Sequence, residues 1–388
     1  MNLRAGIIAS VLLGILPLTG CDSRSDAVHY RTSGLRDVAS LDVYVDGRTI
    51  HLVLAGPAAD AKTLRYTRSD DGGDTWSNPV RVDRAVPYDA HRGNDVQLAA
   101  HGDRLVAVWS IAGTGYGGSR PLVSAISRDG GKTWAPGPDP ADTDSTEGHG
   151  FADLTASGNG DFHLVWLDSR SGEQALYHAR STNGGRHWSR NTPIDAATCE
   201  CCWNTIKASA DGDLFVLYRN VDPRDMALAQ TGDGKRWRRL GPVGRFNWDF
   251  DGCPHAGGGL AVAPGGELLH AVVWTGHQRS VGLYHLISAD GGHQWSQPRR
   301  LGDASAQHAD VAVLDADGVA AVWDAAGSQG QAIVAALSGD GGRTWAQHYV
   351  LQSTTSPSHP RVVATALGWR VFWTERRNGR DVWAMAEL

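Results

Sequence analysis

Three of the five cysteines in this 388-residue chain fall within the stretch ATCECCWN, residues 197 to 204. Cys199, Cys201 and Cys202 at that spacing can form a disulfide knot, a thiolate metal site or a redox centre. A fourth, Cys253, stands in FDGCPHAG with His255 two residues on. Thiolate and imidazole together favour copper or zinc over harder ions. Further histidines occur in short segments of similar character: His91 in YDAHRGND, His149 in TEGHGFAD, His308 in SAQHAD and His359 in SPSHPR. Whether any of them converge depends on the elements that carry them.

Those elements repeat. SDDGGDTW (Ser69 to Trp76), SRDGGKTW (Ser127 to Trp134), STNGGRHW (Ser181 to Trp188), SADGGHQW (Ser288 to Trp295) and SGDGGRTW (Ser338 to Trp345) are copies of one motif. A damaged copy, TGDGKRW, ends at Trp237. In each, an acidic or amide side chain (Asp71, Asp129, Asn183, Asp233, Asp290, Asp340) accepts bonds from turn N–H groups and glycines allow positive φ. The Trp (Trp76, Trp134, Trp188, Trp237, Trp295, Trp345) then pins the hairpin to its own blade. The motif resembles the Asp-box, or BNR repeat, of the sialidase superfamily. Fold periodicity of this kind is a folding device and by itself says little about chemistry.

Between the boxes, DRLVAVW, DFHLVW, DLFVLY, LLHAVVW, GVAAVW and WRVFW alternate or run apolar and end in an aromatic, as strands do. Each unit therefore reads as an inner strand, an aromatic-ended second strand, a third strand, the box turn and an outer strand, which is the blade of a β-propeller. The all-β fold is expected to have seven blades, six of them boxed. AVHYRTS near the N-terminus resembles the outer strand AQHYVLQ and is expected to close the last blade. Six blades, as in true sialidases, is the alternative.

Connections between blades open on one face of a propeller, around the central channel, where ligands usually bind. Six successive connections carry His91, His149, the Cys199/Cys201/Cys202 cluster, Cys253 with His255, His308, and His359. This register predicts a ring of soft ligands, with the four thiolates and His255 nearest the ion and the other histidines as further ligands or supporting groups. Two disulfides are the competing expectation, one linking the cysteine cluster to Cys253 and one local. Arginines on the same face, Arg92, Arg170, Arg219, Arg361 and Arg376, can grip a carboxylate or sulfate, or can pair with rim acids such as Asp168 and Glu375.

The sialidase resemblance implies an arginine triad, a Tyr/Glu nucleophile pair and an Asp acid/base. The Arg-Ile-Pro segment that carries the first triad arginine is absent, and no catalytic residue carries over. Asp89, Asp95, Glu147 and Asp249 remain positional candidates for two-carboxylate glycoside chemistry. The sequence lacks G-x-S-x-G, H-E-x-x-H and a phosphate-cradling glycine loop.

Residues 1–20 contain an apolar run after Arg4 that reads as an export signal. Its end, LTGC, resembles the lipobox of bacterial lipoproteins and implies lipidation at Cys21, a polar tether over 21–27 and a single propeller domain over 28–388. The expected location is the bacterial cell envelope, with the chain monomeric, held at a membrane by its lipid, and facing an acidic glycan or a protein partner. A net charge of −6 and 20% charged residues exclude the basic balance of a nucleic-acid binder.

Overall fold

The computed structural model describes residues 28–31, 35, 37–57, 62–82, 88, 90, 91, 93–112, 119–143, 149–328 and 330–388. The expected signal, Cys21, the tether, Arg92, Asp89 and Glu147 lie outside the described residues. Within them the chain forms seven four-stranded antiparallel sheets. Blade 1 comprises Ser40–Asp46, Thr49–Pro57, Lys62–Ser69 and Val80–Arg81. Blades 2 to 6 begin from the inner strands Gln97–His101, Gly150–Ala156, Thr205–Ala208, Gly258–Val262 and Gln307–Val313. Blade 7 comprises Ser358–Thr365, Gly368–Arg377 and Arg380–Glu387, and His29–Arg31 supplies its outer strand by pairing His29 with Met385 and Arg31 with Trp383. The seven inner strands contact one another in a closed ring. Ring closure by an N-terminal strand ties the two ends of the chain together and leaves no open first-to-last seam.

Two devices hold neighbouring blades together. Near the channel, inner-strand carboxylates accept backbone N–H groups from the next blade: Asp42 from Leu98 at 2.7 Å, Asp153 from Ile206 at 2.7 Å, and Asp310 from Val362 at 3.0 Å. On the opposite face the boxes do the work. In the second box, Asp129 accepts from the Thr133 N–H at 2.9 Å, and Ser127 Oγ accepts from the Gly131 N–H at 2.9 Å. The Thr133 hydroxyl and N–H, with the Ser127 hydroxyl, hold the Asp129 carboxyl down to about 2.

The box tryptophans do more than pin their own hairpins. Trp76 Nε1 does donate to Gly73 O within its box, but the rings pack backwards onto the preceding blade. Trp76 of blade 1 meets Trp383 of blade 7, Trp134 of blade 2 meets Tyr66 of blade 1, Trp237 of blade 4 meets His178 of blade 3, and Trp345 of blade 6 meets His285 of blade 5. The expectation of an own-blade pin is therefore corrected in part: the Nε1 bond ties the indole of Trp76 and Trp345 to its own box, while the ring packs on the side chains of the neighbouring blade. Gly131 shows how close this seam is. Its φ is +84°, and a Cβ there would stand 2.1 Å from the Tyr66 ring.

Candidate metal centre at the channel mouth

Register across the sheets defines the channel wall. Asp42, Gln97, Asp153, Thr205, Asp310 and Arg361 each pair with the equivalent residue of their second strand, and all six line a central cavity of about 80 Å³. Lys207 and Asp95 line it too. Burial, and then repulsion from Asp153, pushes the Asp42 carboxyl up to about 7. Burial also raises Asp95, against the pull of Arg361 at 3.3 Å. Burial would lower the Lys207 and Arg361 values, yet the surrounding carboxylates more than offset it and both cations stay charged.

Two residues before the wall positions, and one tier nearer the mouth, stand Asp95, Phe151, Trp203, His308 and His359. Phe151, His308 and His359 sit in irregularities of strand register, with φ of +51°, +48° and +54°.

The expected single ring of soft ligands resolves into two separate clusters. In the first, Cys199, Cys201 and Cys202 are buried, with Cys199 Sγ 2.6 Å from Cys202 Sγ and 4.0 Å from Cys201 Sγ. Phe151 packs against the three sulfurs. The loop is tied down by Cys199 N–H donating to Arg219 O at 3.0 Å. Cys253 is exposed and stands outside the three-sulfur group. Thiol donation from Cys201 and Cys202, together with the Arg219 charge, drives the Cys199 thiol far below its ordinary range. Hydrogen bonding to Cys199 pushes Cys201 up, and burial followed by the bond to Cys199 pushes Cys202 up to about 12. The three thiols are thus tightly coupled, and a bound cation can take the place of their protons.

In the second cluster, His308 and His359 stack with centroids 3.6 Å apart and planes at 20°. Asp324 accepts from His308 Nδ1 at 2.7 Å and from the His359 N–H at 2.8 Å. Trp203, next to Cys202 in sequence, lies 5.4 Å from the His308 ring and 6.3 Å from that of His359.

The remaining expected ligands stand apart from both clusters. His91 is exposed and bridges Asn94 through its backbone. His149 is fully buried, with Nε2 3.1 Å from Asp168. His255 is exposed, its Nδ1 3.1 Å from Cys253 O, and borders a small crevice shared with His308. The arginines have protein partners. Arg170 is held by Asp168 and by Asp142 at 2.7 Å. Arg219 donates to the carbonyls of Ala256, Arg224 and Trp274. Arg361 pairs with Asp95, and Arg376 reaches Gly379 O and Asp381. Pairing with rim acids holds for Arg170, but Glu375 is buried and accepts from Trp373 Nε1 at 3.0 Å instead.

Sequence reasoning missed Asp324, Trp203 and Lys207. Asp324 directly follows Trp323 within the second strand of blade 6, Val319–Gly327, and that adjacency was its only sequence signal. Lys207 and the wall carboxylates were hidden because nothing local marks which residue of an inner strand faces the channel.

These features define a seven-bladed, Asp-box, sialidase-like β-propeller with a thiol cluster and an imidazole–carboxylate cluster at its mouth. A family model described as a BNR repeat-like domain matches residues 55–249, and the chain belongs to that family. No curated protein matches the sequence. Among solved structures, the chain is similar to an ulvan lyase of polysaccharide lyase family PL25, at 12% identity over 92% of this chain and 96% of that one, with a TM-score of 0.59. It is also similar to YCF48 bound to a D1 peptide, at 15% identity over 95% and 98% of the two chains, with a TM-score of 0.55. A third is the intramolecular trans-sialidase from Ruminococcus gnavus, at 11% identity over 95% and 98%, with a TM-score of 0.51. At these identities the likeness is one of fold.

Proposed function

We propose that this chain is a lipid-anchored envelope protein that binds or handles a soft metal ion, copper or zinc, at the thiol cluster of its channel mouth. The observation that carries this reading is the burial of Cys199, Cys201 and Cys202 with their sulfurs all within 4.8 Å of one another. The donor set suits such an ion. Zn–S bonds of about 2.3 Å separate two tetrahedral ligands by roughly 3.8 Å, close to the 4.0 Å between Cys199 and Cys201. Cys202 has to swing away from Cys199 by about an ångström, a side-chain rotation. Cys253, exposed on the next connection, is the fourth donor and the point at which an ion enters or leaves. The soft metal supplies the strong sulfur bonds; the chain supplies burial, the Arg219 charge behind Cys199 and a fixed loop. Elemental analysis of reduced, anaerobically purified protein tests the reading, with loss of the metal in Cys202→Ser as the expected result.

A second reading has its own support. The 2.6 Å between the Cys199 and Cys202 sulfurs suits closure of one disulfide and leaves Cys201 and Cys253 as the other pair. The cysteines are then a staple, and the propeller is a glycan-binding or glycan-cleaving protein or a docking platform. That reading predicts affinity for an acidic sugar that falls when Arg361 is replaced, although Arg361 already has Asp95 as a partner. For the anchor, Cys21→Ser is expected to release the protein from membranes. Seven tether residues reach at most about 25 Å, which would set the rim of blade 7 against the bilayer and leave both faces of the disc accessible.

A further inference from the structure

The second cluster is a site in its own right. The geometry points to His308, His359 and Asp324 as a second cation site, distinct from the thiol cluster, that takes a borderline divalent ion such as zinc or copper(II).

Four observations carry this. One ligand atom from each of the three residues lies within 4.8 Å of the other two. Two imidazoles backed by a carboxylate are a donor set for borderline ions rather than for the soft ions that thiolates select. Asp324 is placed as the carboxylate that orients a ligating histidine: its bond to His308 Nδ1 fixes the tautomer that carries the lone pair on Nε2. The same carboxylate accepts the His359 N–H, so a single group sets the positions of both rings although they come from different blades. Ser358 Oγ meets His359 Nδ1 at 2.5 Å and holds that ring in turn.

The channel beneath the rings is lined by Asp42, Asp153 and Asp310 with Lys207 and Arg361, and Asp95 stands at the rings' own tier, paired with Arg361. Access is open, because the His308 side chain retains 19% exposure. Phe151 occupies the corresponding bend of blade 3 with nearly the same φ, so the left-handed turn belongs to the fold. What distinguishes blades 6 and 7 is the imidazole placed on it. Without an ion, two imidazoles stacked at 3.6 Å gain little and repel once both are protonated.

Cobalt(II) titration of the mature, reduced protein under anaerobic conditions tests the proposal, since thiolate charge-transfer absorption separates a sulfur-ligated ion from one bound by nitrogen and oxygen. The expected result is a nitrogen- and oxygen-ligated ion that binds on the order of 10–100-fold more weakly in His359→Ala and in the isosteric Asp324→Asn, with melting temperatures unchanged. Cys202→Ser is expected to remove any thiolate band and leave this ion in place. Failure to titrate a nitrogen- and oxygen-ligated ion, or unchanged affinity in both variants, overturns the site. A wild-type protein lacking the thiolate band while losing its only ion in His359→Ala would reject the soft-metal function and leave this site standing.

Discussion

The two faces of the propeller solve different problems. On the box face, each turn repeats one local geometry, and its Trp lands on the blade before it: Trp134 on Tyr66, Trp237 on His178, Trp345 on His285. On the mouth face, equivalent positions hold unlike residues: Phe151 in blade 3, Trp203 in blade 4, His308 in blade 6 and His359 in blade 7. Repetition marks the part of the sequence that closes the disc. Departure from repetition marks the part free to acquire chemistry.

The contrast predicts opposite outcomes from equally sized changes. Trp134 is 3% exposed, and Trp134→Ala is expected to cost about 3–5 kcal/mol. Gly131→Val should do comparable damage, because the new side chain has to enter the Tyr66 ring from a left-handed backbone. Denaturant unfolding measures both. If either variant unfolds like the parent, the inter-blade role of the boxes is wrong.

The next effect in size is acid sensitivity, again from the box face. Burial lowers His51, His163 and His270 to about 4 and His285 to about 3. His163 stacks on His178 and His270 on His285, while His51 Nδ1 lies 2.7 Å from Tyr66 Oη. Nearby charges are Arg180 and Asp161 for His163, Arg299 for His285, and Asp46, Arg68 and Asp70 for His51. A histidine held neutral in the fold contributes stability above its unfolded value of about 6.5, and that contribution is lost as pH falls through about 4. Each such group is worth about 3 kcal/mol. Unfolding midpoints should drop steeply between about pH 6.5 and 4, and His163→Gln should flatten part of that slope.

The channel wall contributes a weaker trend of opposite sign. Asp42 is raised to about 7, so the stability it contributes is present below its unfolded value of about 4 and is lost as pH rises through about 7. Asp42→Asn keeps an acceptor for the Leu98 N–H and is expected to gain about 4 kcal/mol over its parent at pH 8 relative to pH 4. An identical pH dependence in the two proteins would show that Asp42 is ionised throughout. Smallest of all, Cys202→Ser should change stability in the metal-free state by no more than about 1 kcal/mol while abolishing soft-metal binding. A large loss of stability there would make the cysteines a staple.

How far the sequence could be read follows the same division. Blades and boxes were legible because their signals are local: Ser127, Asp129, Gly131 and Trp134 act within eight residues of one another. The closing strand at His29–Arg31 was legible through its likeness to a later outer strand. The seam-crossing direction of the Trp rings was not, since it depends on the angle between blades. At the mouth, the presence of His or Cys in successive connections was visible, but their partition was not. His308 and His359 meet because blades 6 and 7 are neighbours and both bend into left-handed turns, and Asp324 joins them from within a strand rather than from a connection. His149 was drawn to Asp168, and Arg219 to three backbone carbonyls, by burial that no spacing reveals.

The most direct test of the soft-metal account is a free-thiol count on the denatured mature protein after anaerobic purification, taken together with elemental analysis of the native sample. The account predicts four thiols, from Cys199, Cys201, Cys202 and Cys253, and copper or zinc in stoichiometric amount. No thiols and no metal would contradict it and make the cysteine cluster a structural staple.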